Sequence, residues 1–192
     1  MIPPHMASSP PQGQRKAVES YRPSQLPSST DLSKVISGGQ QGADQAGLFA
    51  AWLLNIPTGG WAPKGWLTST GADKTLLHDI FGLEECSGGY KERTYWNVRD
   101  SDATIRFALD FSSPGEKCTL KAIVKYNKFY LDVDLYKPLS VTEIRNWILE
   151  HKINILNIAG NRQRNSGPDI YGLTFSILYQ VFSGGGERNG KR

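Results

Sequence analysis

Residues 34–44 combine glycine spacing with a strand and a helix in a way that suits anion binding. Val35 and Ile36 indicate the end of a buried strand, and residues 46–54 form an apolar run with helical character. The glycines between them let the backbone turn sharply, so loop amides and the positive end of the helix dipole could face one phosphate-like group. The spacing matches neither the dinucleotide fingerprint nor the P-loop, and a tight turn without a ligand is the alternative. The candidate residues of this first loop are Ser37, Gly38, Gly39, Gln40, Gly42 and Asp44.

A second glycine turn follows a short predicted strand, which Pro57 keeps from being a long central one. This turn carries a hydroxyl, backbone amides, an indole ring and an ammonium group. Together they could hold an oxyanion and stack on a flat heterocycle. The alternative is a simple turn whose tryptophan packs in the core. The candidates here are Thr58, Gly59, Gly60, Trp61 and Lys64.

Two carboxylates stand beside an arginine just before a buried strand predicted at residues 103–108. They could act as a catalytic pair, bind a cation, or form an ion-pair network at the end of a helix. The residues concerned, which are also counted among the candidate ligand-binding residues, are Arg99, Asp100, Ser101 and Asp102.

Two further predicted strands end in residues suited to an anion. After the strand at residues 103–108, Ser113 is a good helix N-cap, with Pro114 at the first helical position. After the strand at residues 153–159, a glycine leads into an asparagine and an arginine. The candidates in these two loops are Ser113, Gly115, Thr119, Asn161 and Arg162.

These loops need a scaffold that brings strand ends together, and the hydrophobic pattern predicts one. Five short strands, each followed by a helix or a loop, indicate a mostly parallel α/β sheet with right-handed crossovers. Ligands of such sheets lie beyond the carboxyl ends of the strands, where the glycine, serine and arginine loops should converge. Residues 66–89 are irregular and polar, which is typical of a surface excursion such as a lid.

Length and composition favour a single domain. A chain of 192 residues, 39% of them hydrophobic, suffices for one core, predicted at residues 34–183. A disordered Pro/Ser-rich tail at residues 1–33 and a flexible tail at residues 184–192 should flank it. The net charge of +4, spread over scattered basic residues, argues against nucleic acid, and no apolar stretch is long enough to span a membrane. Two cysteines and three dispersed histidines predict a reducing, cytoplasmic compartment and no metal site built from side chains.

The last predicted helix, at residues 170–182, is apolar most of the way round. A helix in a small domain needs only one apolar side to face the core, so the additional apolar surface should be covered by something else. The simplest cover is a second copy of the chain. This pattern therefore predicts a homo-oligomer, either a dimer or a tetramer.

Several of these segments together resemble the molybdenum carrier family, which is similar to the Rossmann-like nucleotide-binding group that includes cytokinin-activating phosphoribohydrolases. The likeness covers residues 34–182 and implies a Rossmann-like three-layer sandwich. The chain departs from the family pattern at Gln41, Ala43 and Gln45, and at Asn161, where proline is usual. The matching motifs are Ile36-Ser37-Gly38-Gly39-Gln40 with Gly42 and Asp44, Ile56-Pro57-Thr58-Gly59-Gly60-Trp61, Pro63-Lys64-Gly65, Arg93-Thr94, Trp96-Asn97-Val98-Arg99-Asp100-Ser101-Asp102-Ala103-Thr104, Ser113-Pro114-Gly115 with Thr119, and Asn157 to Gly160 with Arg162.

The resemblance implies noncovalent binding of molybdenum cofactor, a pterin that carries a dithiolene and a terminal phosphate. A protein of this kind would protect and store the cofactor and transfer it to molybdenum enzymes. Protein thiolates are not needed, because the dithiolene already holds the metal. Molybdate alone and a nucleotide are the alternative ligands.

An enzyme is the rival from another class, namely a phosphoribohydrolase acting on nucleoside monophosphates. That group uses a glutamate three residues after the Gly-Thr of its second phosphate loop, and this chain has Ala122 three residues after Thr119. The resemblance therefore favours a carrier over an enzyme and assigns no catalytic residue. Asp100 or Asp102 could in principle serve as acid or base instead.

Overall fold

The computed structural model describes residues 32–184, in which a five-stranded sheet is flanked by helices. Both predicted tails lie almost wholly outside these residues. The strands are β1 (Lys34–Ser37), β2 (Thr58–Gly59), β3 (Trp61–Ala62), β4 (Leu67–Thr68), β5 (Gly71–Ala72), β6 (Glu84–Glu85), β7 (Ala103–Ala108), β8 (Phe129–Asp134) and β9 (Ile155–Gly160). The helices are α1 (Ala43–Leu53), α2 (Tyr90–Arg99), α3 (Pro114–Tyr126), α4 (Val141–Glu150) and α5 (Ile170–Ser183), with a 3₁₀ turn at Lys64–Trp66 and a π-helix at Thr75–Ile80.

The order of the strands in the central sheet is β2-β1-β9-β7-β8, and every pair is parallel. The last strand of the chain therefore lies at the centre. If β9 and α5 were moved to the front of the chain, the order would become 3-2-1-4-5, which is the Rossmann order 3-2-1-4-5-6 without its sixth strand. The fold is thus a circularly permuted Rossmann-like sandwich. Its topological switch point, where ligands of such sheets bind, lies between β9 and β7.

Local sequence explains where these elements begin and end. The six residues of β7 are all buried, which confirms the predicted strand. Ser113 caps α3, because its side chain accepts a hydrogen bond from the Glu116 amide with Pro114 at the first helical position. A capping box of Ser140 and Glu143 begins α4 in the same way. The predicted start of α3 at Ser113 and Pro114 is confirmed.

Two hydrophobic clusters place helices on both faces of the sheet. The larger cluster joins α1, α4 and α5 to one face, with Leu156 and Ile158 of β9 at its centre. The smaller one joins α2 and α3 through Val98, Ala122 and Ile123. This arrangement confirms the predicted three-layer sandwich with a parallel sheet of five strands.

Helix α5 finds its burial within a single chain. It packs along α1 and against α4, and Tyr171, Phe175, Leu178 and Phe182 are buried there. Of its large apolar side chains, Leu173 remains exposed. The wide apolar band is explained by two neighbouring helices of the same chain, so it no longer supports the predicted homo-oligomer, which stays a prediction without this basis.

The segment at residues 66–89 has more structure than its polar sequence predicts. It contains a short hairpin of β4 and β5, the π-helix, and β6, which pairs with β3. Leu76, Leu77, Phe81 and Leu83 pack against Leu48 of α1 in a small separate cluster. The segment is therefore a packed subdomain beside the sheet, in place of the irregular excursion predicted from its sequence.

The ordered core begins slightly before the predicted boundary at residue 34. Leu32 is buried in the main cluster, and the Ser33 amide donates to the carbonyl of Asn154 at 2.9 Å. At the other end, Gly184 ends α5 in a left-handed conformation with a φ of 78°.

Candidate functional site

The loops that follow β1, β7 and β9 meet at the carboxyl end of the sheet. Gly42 and Arg162 form an antiparallel bridge, in which the Ala43 amide donates to the Asn161 carbonyl at 3.2 Å. The Asn161 side chain also accepts hydrogen bonds from the amides of Leu109 and Asp110. Asn161, directly after the central strand β9, therefore connects the loop after β1 with the loop after β7, and its side chain is already engaged in these contacts.

The first glycine loop is largely occupied by protein groups. The Gln40 amide donates to Asp44 Oδ2 at 3.2 Å, and the Gln41 amide donates to the side chain of Gln40 at 3.1 Å. Burial raises the pKa of Asp44, while Arg93 and the Gln40 amide oppose that rise. The loop therefore holds a carboxylate of the chain itself at amides that were predicted to receive an external anion.

Arg93 completes this part of the site and was not among the residues predicted from sequence. Its Nη2 lies 3.1 Å from Asp44 Oδ2, and its side chain is 13% exposed. The guanidinium fills the space where a side chain at position 38 would stand, which is why Gly38 is needed there. Within residues 32–184 its Nε atom is buried without a hydrogen-bond partner. The charge of Arg93 thus reaches the crevice between α2 and the glycine loop with one donor unused.

The tip of the β4–β5 hairpin lies on the first glycine loop. The Ser69 amide donates to Gln40 Oε1 at 2.7 Å, and the Ser69 hydroxyl donates to Gln41 Oε1 at 2.8 Å. The side-chain nitrogen Nε2 of Gln41 donates in turn to Thr70 Oγ1 at 2.7 Å. The hairpin therefore covers one side of the crevice, held by the side chains of both glutamines.

The start of α3 is the open part of the crevice. Nothing lies within 4 Å of a Cβ placed on Gly115, although Gly115 stands in the first helical turn. Thr119 is buried and donates to the Gly115 carbonyl at 3.1 Å, so it supports the turn from inside. Arg162 is exposed beyond the end of β9, across the switch point from β7. The amides at the helix start and this arginine can together receive an anion.

A buried ion cluster lies directly beneath the open helix start. Arg106 forms a two-pronged ion pair with Asp132, and its Nη1 lies 3.8 Å from Glu116 Oε2. Glu116 is 2% exposed and accepts a hydrogen bond from Asn161. Burial raises the pKa of Glu116 to about 7, against the favourable charge of Arg106. The cluster therefore joins α3, β7, β8 and the loop after β9.

The second glycine turn leads away from this crevice. Gly60 passes the backbone of Ser37 so closely that an added Cβ would lie 2.4 Å from its carbonyl oxygen. Asn97 of α2 then accepts from the Trp61 amide and donates to the Trp61 carbonyl. Lys64 is exposed at the start of the 3₁₀ turn, where its amide donates to Gly88. Thr58 and Gly59 form β2, the edge strand that pairs with β1.

Residues 99–102 and the first loop lie at opposite ends of the parallel strands. They directly precede β7, so they stand at the amino ends of the strands. Asp102 accepts from the amides of Asn154 and Ile155, and Ser101 donates to the Val98 carbonyl. These four residues end α2 and join it to β9, which is the helix-end network among the alternatives considered above.

Asp100 has two partners within this group. Arg99 and the Trp61 indole N–H both donate hydrogen bonds to it, and together they hold the pKa of Asp100 below its ordinary value. The structure therefore brings Ser113, Gly115, Thr119, Asn161 and Arg162 together with the first loop and leaves Arg99 to Asp102 outside.

Replacing Gly42 with alanine should destabilise the fold by about 3 kcal/mol or more, since a forced left-handed residue costs about 1–3 kcal/mol and the loop bridge would be lost as well. Gly42 has a φ of 107°, and an added Cβ would lie 2.5 Å from the Asn161 carbonyl oxygen and from the Gln163 amide nitrogen. Chemical denaturation measures the loss. Gly115→Ala is the matched control and should leave stability equal or slightly higher. If Gly42→Ala and Gly115→Ala were equally stable, the close contact of Gly42 with the loop after β9 would not contribute to the stability of the fold.

Residues 32–184 contain neither a cluster of metal-binding side chains nor a helix that could span a membrane. No three histidine, cysteine or carboxylate side chains are close enough together to hold a metal ion. No helix in this part of the chain has the length and apolar character needed to cross a membrane. Cys86 is buried and Cys118 is half-buried, and both are free thiols.

Comparisons with known proteins agree with the permuted strand order. Residues 35–182 match the model of a family described as the circularly permutated YpsA SLOG family. The chain is also similar to a crystal structure from Syntrophus aciditrophicus SB, named "putative molybdenum carrier protein", with 35% identity and a TM-score of 0.69 over 79% of this chain and 96% of that one. No curated protein matches. The chain therefore belongs to the circularly permutated YpsA SLOG family.

Proposed function

We propose that this protein binds molybdenum cofactor noncovalently, protects and stores it, and transfers it to molybdenum enzymes. The observation that carries the proposal is the similarity, at 35% identity over most of both chains, to the protein named "putative molybdenum carrier protein". The cofactor is a pterin that carries a dithiolene and a terminal phosphate, so a binding site must supply donors for a polyanion and space for a flat ring system.

The crevice between the first glycine loop, α2 and α3 fits such a group. Gly115 leaves the start of α3 uncovered, and helix starts of this kind bind phosphate through their free amides. Arg93 contributes a charged side chain with an unpartnered Nε, and Arg162 contributes a second guanidinium. These residues would hold the phosphate end, while the cofactor itself supplies the ligands of its metal.

The residues of this crevice favour binding over hydrolysis. Ala122, at the position of the hydrolase glutamate, is fully buried between α2 and α3. Glu116 is the nearest carboxylate of α3, but it is buried and turned towards Asn161 and Arg106. A general base must reach the proton that it removes, and neither position offers an exposed carboxylate. The carrier function is therefore the better supported of the two.

Filling the space above Gly115 should weaken cofactor binding without affecting the fold. We expect Gly115→Leu to weaken the binding of molybdenum cofactor by at least about tenfold, because the new side chain would enter open space at the helix start. Arg162→Ala should weaken it to a similar extent. Retained cofactor after gel filtration, measured on the full chain, gives the affinity, and thermal melting verifies the fold.

Arg99→Ala is the matched control. Arg99 was also a candidate binding residue from sequence, but it lies at the amino ends of the strands, away from the start of α3. It should bind cofactor like the unmodified protein. The proposal fails if the unmodified protein retains AMP tightly and molybdenum cofactor weakly, since the ligand is then a nucleotide. If Gly115→Leu bound the cofactor as tightly as the unmodified protein, the proposed location of the site at the start of α3 would be wrong. Light scattering of the same samples tests for a dimer or a tetramer.

A further inference from the structure

A second cavity lies on the α2 side of the sheet, away from the strand carboxyl ends. It has a volume of about 190 Å³, and its walls include Lys34 and Ile155, the first residues of β1 and β9. Gly60 and Gly82 leave backbone uncovered along another part of its lining. The volume is below the roughly 300–1,000 Å³ of pockets for drug-sized ligands, so a small molecule is the largest that fits.

The aromatic wall of this cavity is fixed before any ligand arrives. The Trp61 indole N–H donates to Asp100 Oδ2 at 2.7 Å, and its backbone is held on both sides by Asn97. The edge of the ring meets Trp96 at a centroid distance of 4.7 Å. Because the ring has little freedom left to lose, contact with it costs a ligand little ordering of the protein.

Two residues of opposite charge line this cavity, and neither forms an ion pair within the described part of the chain. Among the residues that the structure describes, Lys34 and Glu84 form no ion pair with each other or with any other side chain. The Lys34 ammonium lies over Gly59 and near the Gly82 carbonyl, on the side of β2. Asp100, the other charged lining residue, already has Arg99 as its partner. One unused cation and one unused anion therefore line a single small space.

We propose that this cavity binds a free amino acid with a small apolar side chain. Its carboxylate would meet Lys34, its ammonium would meet Glu84, and its side chain would lie against Ile36, Ile155 and Trp61. A simple anion would satisfy only the lysine and a simple cation only the glutamate, whereas a zwitterion satisfies both. The site is separate from the cofactor crevice and does not rest on the proposed function.

Three probes of matched shape test the charge requirement on the full chain. L-Leucine carries both charges, 4-methylpentanoate lacks the ammonium, and 3-methylbutylamine lacks the carboxylate. Isothermal titration should show leucine binding at least about tenfold more tightly than either partial probe. Quenching or enhancement of tryptophan fluorescence by leucine, absent in Trp61→Phe, would place the ligand against this ring.

Lys34→Met and Glu84→Gln should each weaken leucine binding by at least about tenfold. Lys137→Met and Glu150→Gln change the same residue types at exposed positions of the β8–α4 region and should bind leucine normally. Circular dichroism identifies any variant that fails to fold, and Trp61→Phe then supplies the independent measurement. Equal binding of the three probes, no binding of leucine, or normal binding by both cavity variants would overturn the proposal.

Discussion

Replacing Arg106 with methionine is expected to lower the free energy of unfolding by about 3 kcal/mol, the lower end of the cost of removing one partner from a buried ion pair, because Asp132 is partly exposed to solvent. Arg106 is 3% exposed and is the only cation within 4 Å of Glu116 among the described residues. It also donates to the Glu116 carbonyl and lies between the rings of Phe111 and Tyr130, at 5.3 and 5.4 Å from their centroids. Urea denaturation at neutral pH measures the loss.

A double variant separates the charge effect from the packing effect. Adding Glu116→Gln to Arg106→Met removes the carboxylate that the first change leaves without a cation, so the effects of the two changes on stability should not add. We expect the pair to deviate from additivity by about 1–2 kcal/mol, within the range measured for contacting residues. Strict additivity would mean that the two side chains are held by their other contacts and that the ion pair contributes nothing.

Glu116→Gln alone should make the protein more stable at pH 8 and leave it nearly unchanged at pH 5. The folded protein holds a proton on Glu116 up to a pKa of about 7, whereas the unfolded chain releases it near 4.5. Between these values the folded state binds more protons, so stability falls as the pH rises. The shift corresponds to roughly 3 kcal/mol at full ionisation, which glutamine would recover because it keeps the oxygen that accepts from Asn161.

Denaturation of both proteins at pH 5, 6.5 and 8 measures this difference directly. Other groups also titrate in this range, but they are common to both proteins, so only the difference in stability reports on Glu116. Glu150→Gln, at an exposed position of α4, is the control and should follow the unmodified protein at every pH. A difference between Glu116→Gln and the unmodified protein that stays constant with pH would contradict the buried, protonated carboxyl.

Hydrophobic pattern and helix caps predicted the elements of the fold well. The cap at Ser113 and the mostly apolar sequence of β7 are local properties, and local properties can be read from a single chain. The order of the strands is not local. The pairing of β1 with β9 rather than β7 depends on contacts across more than a hundred residues, and the sequence contains no short signal for it.

The site was harder to predict, and two of its residues show why. A loop rich in glycine was taken as an anion cradle, but whether its amides are free depends on where Asp44 and Arg93 lie in three dimensions. Arg99 to Asp102 were grouped with the same site, although residues directly before a parallel strand must stand at its amino end. The position of Arg99 to Asp102 could have been predicted, because the order of elements along the chain already separates the amino ends of the strands from their carboxyl ends.

The buried ion cluster had a signal that was overlooked. Arg106 interrupts an otherwise uncharged strand, and a charge inside a fully buried strand requires a partner. Asp132 occupies the fourth position of β8, as Arg106 does in β7, and the register of the two strands pairs them directly. A search for opposite charges at equal positions of neighbouring parallel strands would have found them.

The central place of β9 also determines when this protein can fold. Without β9, the sheet consists of two separate pairs, β2 with β1 and β7 with β8, which have no strand pairing in common. Ser37 of β1 meets a partner 121 positions later in the chain. A nascent chain on the ribosome therefore carries two unjoined strand pairs with exposed edges until its last quarter has been synthesised. Completion of the sheet is a late event that follows translation of β9, and chaperones that shield strand edges would act during that interval.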